Sequence, residues 1–291
     1  MEALFSLVKR NNKVFRRDKM QVFYSLLSVI IVIVLYAVFL QKTQVNAIEE
    51  VTKATPELVT MVNEWIVAGL LSMITVSTTL AAYGIAVRDL ESKAQADFLT
   101  APISRATIQF SYVLNAFFIG CIFSFIALIG CEIFIVSTGG ELLSFGDFLK
   151  VVGLLFLSVL LASVFNLFLV LLANSQHSFS TLSTIFGTAL GFLCGVYVPV
   201  GVLPSFAQNI IMYFPISHTT LLLRNAFMES SISKVFEGAP ASKVEEYKKM
   251  YGIVYDLHGN ILSISTSIVI IIVTIIVLAI LSIIFFNKKN K

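Results

Sequence analysis

Long apolar runs alternate with short polar stretches along the whole chain. Six of them, over 22–40, 65–87, 111–136, 148–173, 181–198 and 264–286, come close to or exceed the roughly 20 residues of helix needed to cross a hydrocarbon core. Only a helix pairs every backbone N–H and C=O inside such a run, where no water can do so. The pattern therefore predicts an all-α polytopic membrane protein, one membrane domain over 1–291 with six transmembrane helices, the fifth being the shortest. The first run is too long for the roughly 7–15-residue apolar core of a cleavable signal, and no small-x-small site follows it.

Composition agrees with this reading. The 291 residues are 57% hydrophobic and 13% charged, about half the roughly 25% charge of a soluble domain. Twenty Lys and Arg against 17 Asp and Glu leave a net charge of +3, too small a surplus to argue for a nucleic-acid partner. The position of the cations says more than their number. With the N-terminus in the cytoplasm, the inner segments hold 12 of the 20 cations (six between Lys9 and Lys19, then Arg88, Lys93, Arg105 and three at the C-terminus) but 5 of the 17 acids. The positive-inside rule favours that orientation, and an even number of spans returns the C-terminus to the same side. Cys121, Cys131 and Cys194 all lie in apolar runs without a CxxC spacing, which suits small apolar fillers better than a disulfide framework or a zinc site.

Three interruptions carry information beyond the spans. Ahead of the first, residues 1–21 place Leu4, Leu7, Val8, Val14 and Phe15 on one side of a helix and most of the cations on the other, up to Arg16, Arg17, Asp18 and Lys19. This is the pattern of a helix lying in the headgroup plane. Its role is either a topology signal alone or an elbow that passes force to the first span. In the 88–105 loop, Leu90, Ala94 and Phe98 recur every four residues, one stripe of a short helix that Pro102 ends. That stripe packs either on a partner or on the protein's own membrane ends. Over 199–228, Pro199, Pro204 and Pro215 break a greasy segment into two short helices. They read as a re-entrant hairpin, with a surface-lying amphipathic hairpin as the alternative, because broken helix at membrane depth requires a protein or water-filled lining. Residues 229–260 are polar, with a solvated helix around Lys243 to Lys249.

Inside the spans few groups invite chemistry. Glu132 is the one acid clearly within a span, and intramembrane ionisable groups are functional candidates by default. It lies near the outer end of its run, so snorkelling or pairing at the rim competes with a functional role. Asn115 and Asn166 suit interhelical hydrogen bonds or the lining of a substrate path. Gly187, Gly191 and Gly195 form two small-xxx-small steps, for packing within the chain or for a subunit contact. His177, His218 and His258 are scattered, so no metal site is expected, and no residue set suggests catalysis.

Taken in order, these features resemble the permease subunits of type-2 ATP-binding-cassette exporters. The resemblance rests on the basic elbow ending in Arg17-Asp18-Lys19, on Phe98-Leu-Thr-Ala-Pro-Ile-Ser-Arg105 after the second span, and on Gly195-x-Tyr-x-Pro199 followed by Leu203-Pro204 and Phe214-Pro215. It implies that residues 89–100 are a coupling helix seated in an ATPase subunit, with Asp89, Leu90, Glu91, Ala94, Phe98, Leu99, Pro102 and Arg105 at or beside that contact. It further implies that the broken helices form an external gate, and that two permease and two ATPase subunits assemble in a bacterial plasma membrane. ATP and Mg would belong to the partner, since no GxxxxGK[ST] loop occurs here. The expected activity is outward movement of a hydrophobic or amphipathic compound, small molecule or peptide. An ion-gradient-driven transporter would favour buried acids and an internal repeat, and a non-transporting membrane sensor is the other alternative.

Overall fold

The computed structural model describes residues 2–35, 46, 55–173, 175–257 and 259–289. The chain forms α1 (Glu2–Arg17), α2 (Lys19–Leu35), α3 (Pro56–Ala82), α4 (Gly84–Glu91), α5 (Ala94–Thr100), α6 (Arg105–Ser137), α7 (Phe145–Leu172) and α8 (Gln176–Leu193). A 3-10 turn (Val200–Val202), α9 (Ser205–Tyr213), α10 (Pro215–Val235), α11 (Ala241–Met250), a two-residue ribbon of β1 (Asp256–Leu257) and β2 (Asn260–Ile261), and α12 (Ile264–Lys289) complete it.

The helices start where a hydroxyl can take an orphan N–H. Thr55, Ser104, Ser144 and Ser175 each accept from the backbone N–H three residues on, opening α3, α6, α7 and α8. Four helical segments among the described residues are long and apolar enough to cross a membrane: Pro56–Glu91, Arg105–Ser137, Phe145–Leu172 and Ile264–Phe286. The expected first span is represented by α2; its last residues, 36–40, lie outside the described residues. The expected fifth span is the 18-residue α8, which ends at Leu193 rather than continuing to 198.

The second span differs most from its sequence outline. It begins at Pro56, nine residues before the expected start, and turns at Tyr83 into α4. The early polar residues did not look like membrane helix, yet the fold buries them: Asn63 donates to Thr138 Oγ1 at 2.8 Å, and Glu64 is only 7% exposed. This span is the axis of the bundle, with 83% of its apolar window buried, against 11% for α12 on the periphery. Two apolar clusters are strung along it. One gathers α3 with α10 and α11 around Trp65, Leu71, Leu223 and Tyr251; the other gathers α4 with α1 and α6 around Phe15, Ile85, Ile108 and Phe123.

Beyond α8 the broken segment has two parts. The 3-10 turn and α9 are short and largely exposed, whereas α10 runs on to Val235, past the expected limit of 228, and is buried along most of its length. Ser72 and Thr219 hydroxyls lie 2.8 Å apart, so the proline-capped start of α10 sits at the middle of the long α3–α4 span. From there α10 runs antiparallel to α3, toward the end of the bundle that carries α11.

Candidate functional site

The end of the bundle that carries α1, α4 and α5 is tied together by one charged node. Asp89, on α4, is 4% exposed. Both its oxygens are held by the Arg10 guanidinium of α1, with Nη2 2.8 Å from Oδ1 and Nη1 on Oδ2. The Tyr112 hydroxyl of α6 donates to the same Oδ2 at 2.7 Å. Such a two-pronged arginine–carboxylate pair is directional as well as strong. The hydrogen bond to Asp89, outweighing burial, pushes the Arg10 guanidinium above its usual pKa. Beside it Asn11 Nδ2 donates to Ser111 Oγ at 3.3 Å, and the Arg10 guanidinium lies 5.4 Å from the centre of the Phe98 ring on α5. One arginine thus joins α1 to α4, α5 and, through Asp89, α6.

Residues 88–105 do not form the single helix that the four-residue spacing predicts. Helix α4 stops at Glu91, and Lys93 takes a left-handed conformation (φ 62°), the one non-glycine residue among those described to do so. A residue in that conformation just past a helix end is a common terminator. Leu90, Ala94 and Phe98 therefore share no continuous stripe. All three are half-buried, Phe98 against the cluster around α1. Of the two sequence alternatives, packing on the protein's own helices describes Phe98. What this segment presents to solvent is polar: Glu91, Ser92, Lys93, Asp97 and Thr100, with Pro102. Arg105 is half-buried at the start of α6, and of Leu99 only the backbone is described.

The elbow is also distributed differently from the outline. Leu7, Asn11 and Phe15 are the buried face of α1, Phe15 standing edge-on to Phe123 at 6.2 Å. Arg16, Arg17 and Lys19 are exposed. Asp18 divides α1 from α2: its carboxylate accepts from the Gln21 N–H at 3.1 Å and pairs with Arg88 at 3.2 Å.

At the α11 end the organising group is Arg224, fully buried on α10, which the sequence outline did not single out. Its guanidinium donates to the carbonyls of Tyr251 (2.9 Å), Gly195 (2.7 Å) and Cys194 (3.3 Å) and stacks 4.7 Å from the Trp65 ring centre. The loops wrap it closely. Gly195 and Gly252 both have positive φ, and a Cβ on Gly252 would stand 2.9 Å from Nη1. Trp65 Nε1 donates to the same Tyr251 carbonyl at 2.8 Å.

The remaining candidates fall between these nodes. Asn166 Nδ2 donates to the Val76 carbonyl (2.9 Å) and Thr79 Oγ1 (2.8 Å), fastening α7 to α3. Asn115 is buried, its carbonyl oxygen without a partner. Glu132 receives the Leu143 N–H at 3.2 Å and so secures the α6–α7 loop. Gly191 makes room for Tyr197, whose ring would collide with any Cβ there, and Gly195 serves the Arg224 turn, while Gly187 faces open space. Pro199 and Pro204 precede the 3-10 turn and α9, and Pro215 opens α10.

A long kinked central helix, an amphipathic N-terminal helix locked to it, and a broken segment whose second helix is buried frame an all-α polytopic membrane domain. The chain matches the ABC-2 type transporters over residues 2–228 and belongs to that family, as a membrane subunit of an ABC transporter. A comparison with curated proteins gives no match.

Proposed function

We propose that this chain is the membrane subunit of an exporter, moving a hydrophobic or amphipathic compound outward while a separate ABC ATPase supplies the energy. The observation that carries the coupling half of this reading is the Arg10–Asp89–Tyr112 node. A push on the polar turn at Ser92–Lys93 cannot be absorbed locally, because both flanking helices are fixed to α1 and, through Asp89, to α6. The exposed face of Glu91 to Pro102 is then the surface offered to the ATPase on the cytoplasmic side. The segment from Pro199 through α10 serves as the external gate, and two permease copies or two related chains complete the pathway in a bacterial plasma membrane. Both termini lie in the cytoplasm in this arrangement. Alternation between two states follows from nucleotide acting at one end and substrate at the other, each favouring one state by its differential affinity.

Asp97→Arg tests the coupling surface, since Asp97 is exposed and its replacement leaves the packed node intact. Reversing a rim charge acts on complex formation rather than on the fold. Co-purification of the ATPase and its transporter-stimulated ATP hydrolysis should both fall several-fold, with unchanged yield of the permease; full retention of both would remove this surface from the proposal. The subunit contact has its own test. Gly187→Leu should reduce co-isolation of two differently tagged copies, and unchanged pairing would exclude this face of α8.

A further inference from the structure

The α11 end of the bundle holds a cavity of about 570 Å3 between the start of α3, the α6–α7 loop, the start of α7 and α10. Five acidic residues line it, Glu57, Glu64, Glu141, Asp147 and Glu229, against two basic ones, Lys150 and Lys234. Both lysines already have an acidic partner: Lys150 pairs with Asp147 at 2.8 Å and Lys234 with Glu141 at 3.3 Å. The cavity is therefore formally anionic, with Glu57, Glu64 and Glu229 outside any ion pair among the described residues.

Glu64 makes this more than a cluster of acids. The residue is 7% exposed and lines the cavity, and its Oε2 has no hydrogen-bond partner among the described residues. A buried acceptor left unmatched is costly, and one on a cavity wall fits a donor that enters from the cavity. The described residues offer no group of three His, Cys, Asp or Glu placed to coordinate a metal ion. The donor that suits this acidic lining is a hydrogen-bonding organic cation, whose N–H groups make short charge-assisted bonds to carboxylates.

An adjoining hollow of about 1010 Å3 shares Lys150, Ala226, Glu229 and Ser233 with the first and continues along Leu154, Leu222, Ile232 and Phe236. Acidic pocket and apolar groove together match one molecule with a cationic head and a hydrocarbon body. We propose that this end of the protein binds an amphiphilic primary ammonium or guanidinium compound, its head at Glu64 in the acidic pocket and its apolar part in the adjoining groove. This deepens the export reading by naming a substrate class, and it rests on that reading only for the claim that the bound compound is cargo.

The test uses the full chain in nanodiscs and n-octylammonium as probe, with n-octanol as its uncharged counterpart and empty discs subtracted. Saturable binding of octylammonium and none of octanol is expected. Glu64→Gln should weaken it by at least about tenfold, the worth of one charge-assisted bond, and Glu229→Gln, at the exposed mouth, by a smaller factor. Glu246→Gln, on the solvent face of α11, should leave it unchanged. Should Glu64→Gln fail to fold, Glu229→Gln carries the test. Equal binding of octanol, absence of saturable binding, or affinity unaffected by both cavity variants would overturn the proposal. Repeating the titration with phosphatidylethanolamine in the discs separates two sources of the same chemistry: competition assigns the site to a lipid headgroup ammonium, and its absence to a soluble amphiphile. No ATPase is needed, so failure here leaves the permease reading standing, and failed transport with intact binding counts against that reading alone.

Discussion

Arg224→Met should cost this protein most of its thermal stability. Methionine keeps an unbranched apolar stem but withdraws the donors shared by the Tyr251, Gly195 and Cys194 carbonyls. Each lost bond to a charged donor is worth about 1.5–3 kcal/mol, and the stacking on Trp65 adds up to about 2 kcal/mol when desolvated. These contributions are not additive, but even half their sum is large beside the roughly 5–15 kcal/mol of a typical fold. Arg224→Lys should be nearly as harmful, because a single ammonium cannot reach three carbonyls on two loops while lying flat on an indole. The measurements are the melting midpoint in detergent and the maleimide reactivity of Cys194, which is 1% exposed and whose carbonyl Arg224 holds. A lower midpoint together with faster, peptide-mapped labelling at Cys194 is expected. An unchanged midpoint with Cys194 still protected would show that the loops close without the arginine.

The two nodes were not equally legible in the sequence. Apolar runs of about 20 residues announce themselves because the bilayer leaves the backbone one option. Arg224 does not: its partners are backbone carbonyls some 30 residues away in sequence, on both sides, and no side-chain pattern marks a carbonyl. Nothing in the run Leu-Leu-Leu-Arg-Asn marks a partner, whereas the fold makes Arg224 the centre of the α11 end. Asp89 was identified as a coupling residue through the family resemblance, but its pairing with Arg10, 79 residues earlier, depends on how α1 lies against α6. The stripe Leu90, Ala94, Phe98 failed for a local reason. Periodicity assumes helical backbone throughout, and a left-handed Lys93 is a conformation that lysine seldom adopts. The start of α3 was missed for the opposite reason: Asn63 and Glu64 are polar, yet the fold buries both, Asn63 against Thr138.

Both nodes connect to the same span. Between them the α3–α4 axis turns at Tyr83, whose hydroxyl donates to the Ser163 carbonyl at 2.7 Å, while Gln21 and Gln176 donate to the Ala81 and Gly84 carbonyls on either side. The turn is thus held by α2, α7 and α8 at once. A displacement of α4 would be passed to those helices at the turn rather than lost in it. The exposed Arg88–Asp18 pair adds little to this, as surface pairs generally do.

Asp89→Ala is accordingly expected to release α1 without unfolding the bundle. The substitution leaves the Tyr112 hydroxyl without its acceptor and Arg10 without its anion. Removing one partner of a buried pair costs about 3–5 kcal/mol; because the Arg10 side chain is 36% exposed and water can solvate it, we expect about 2–3 kcal/mol. That is on the order of a 30- to 150-fold increase in local opening, an amount amide exchange resolves. Exchange across residues 2–17 should accelerate accordingly, while α3 and α10 stay protected. Tyr112→Phe, which removes one hydrogen bond, should give about 1 kcal/mol of the same effect. In the Arg10→Met, Asp89→Ala cycle the double variant should be little worse than Asp89→Ala alone, the signature of two groups acting through each other. If the node transmits the ATPase stroke, Asp89→Ala will still bind the ATPase through the exposed 91–102 face yet lose most stimulated hydrolysis. Full stimulation with a freely exchanging α1 would separate the elbow from the coupling and confine the stroke to the turn between α4 and α5.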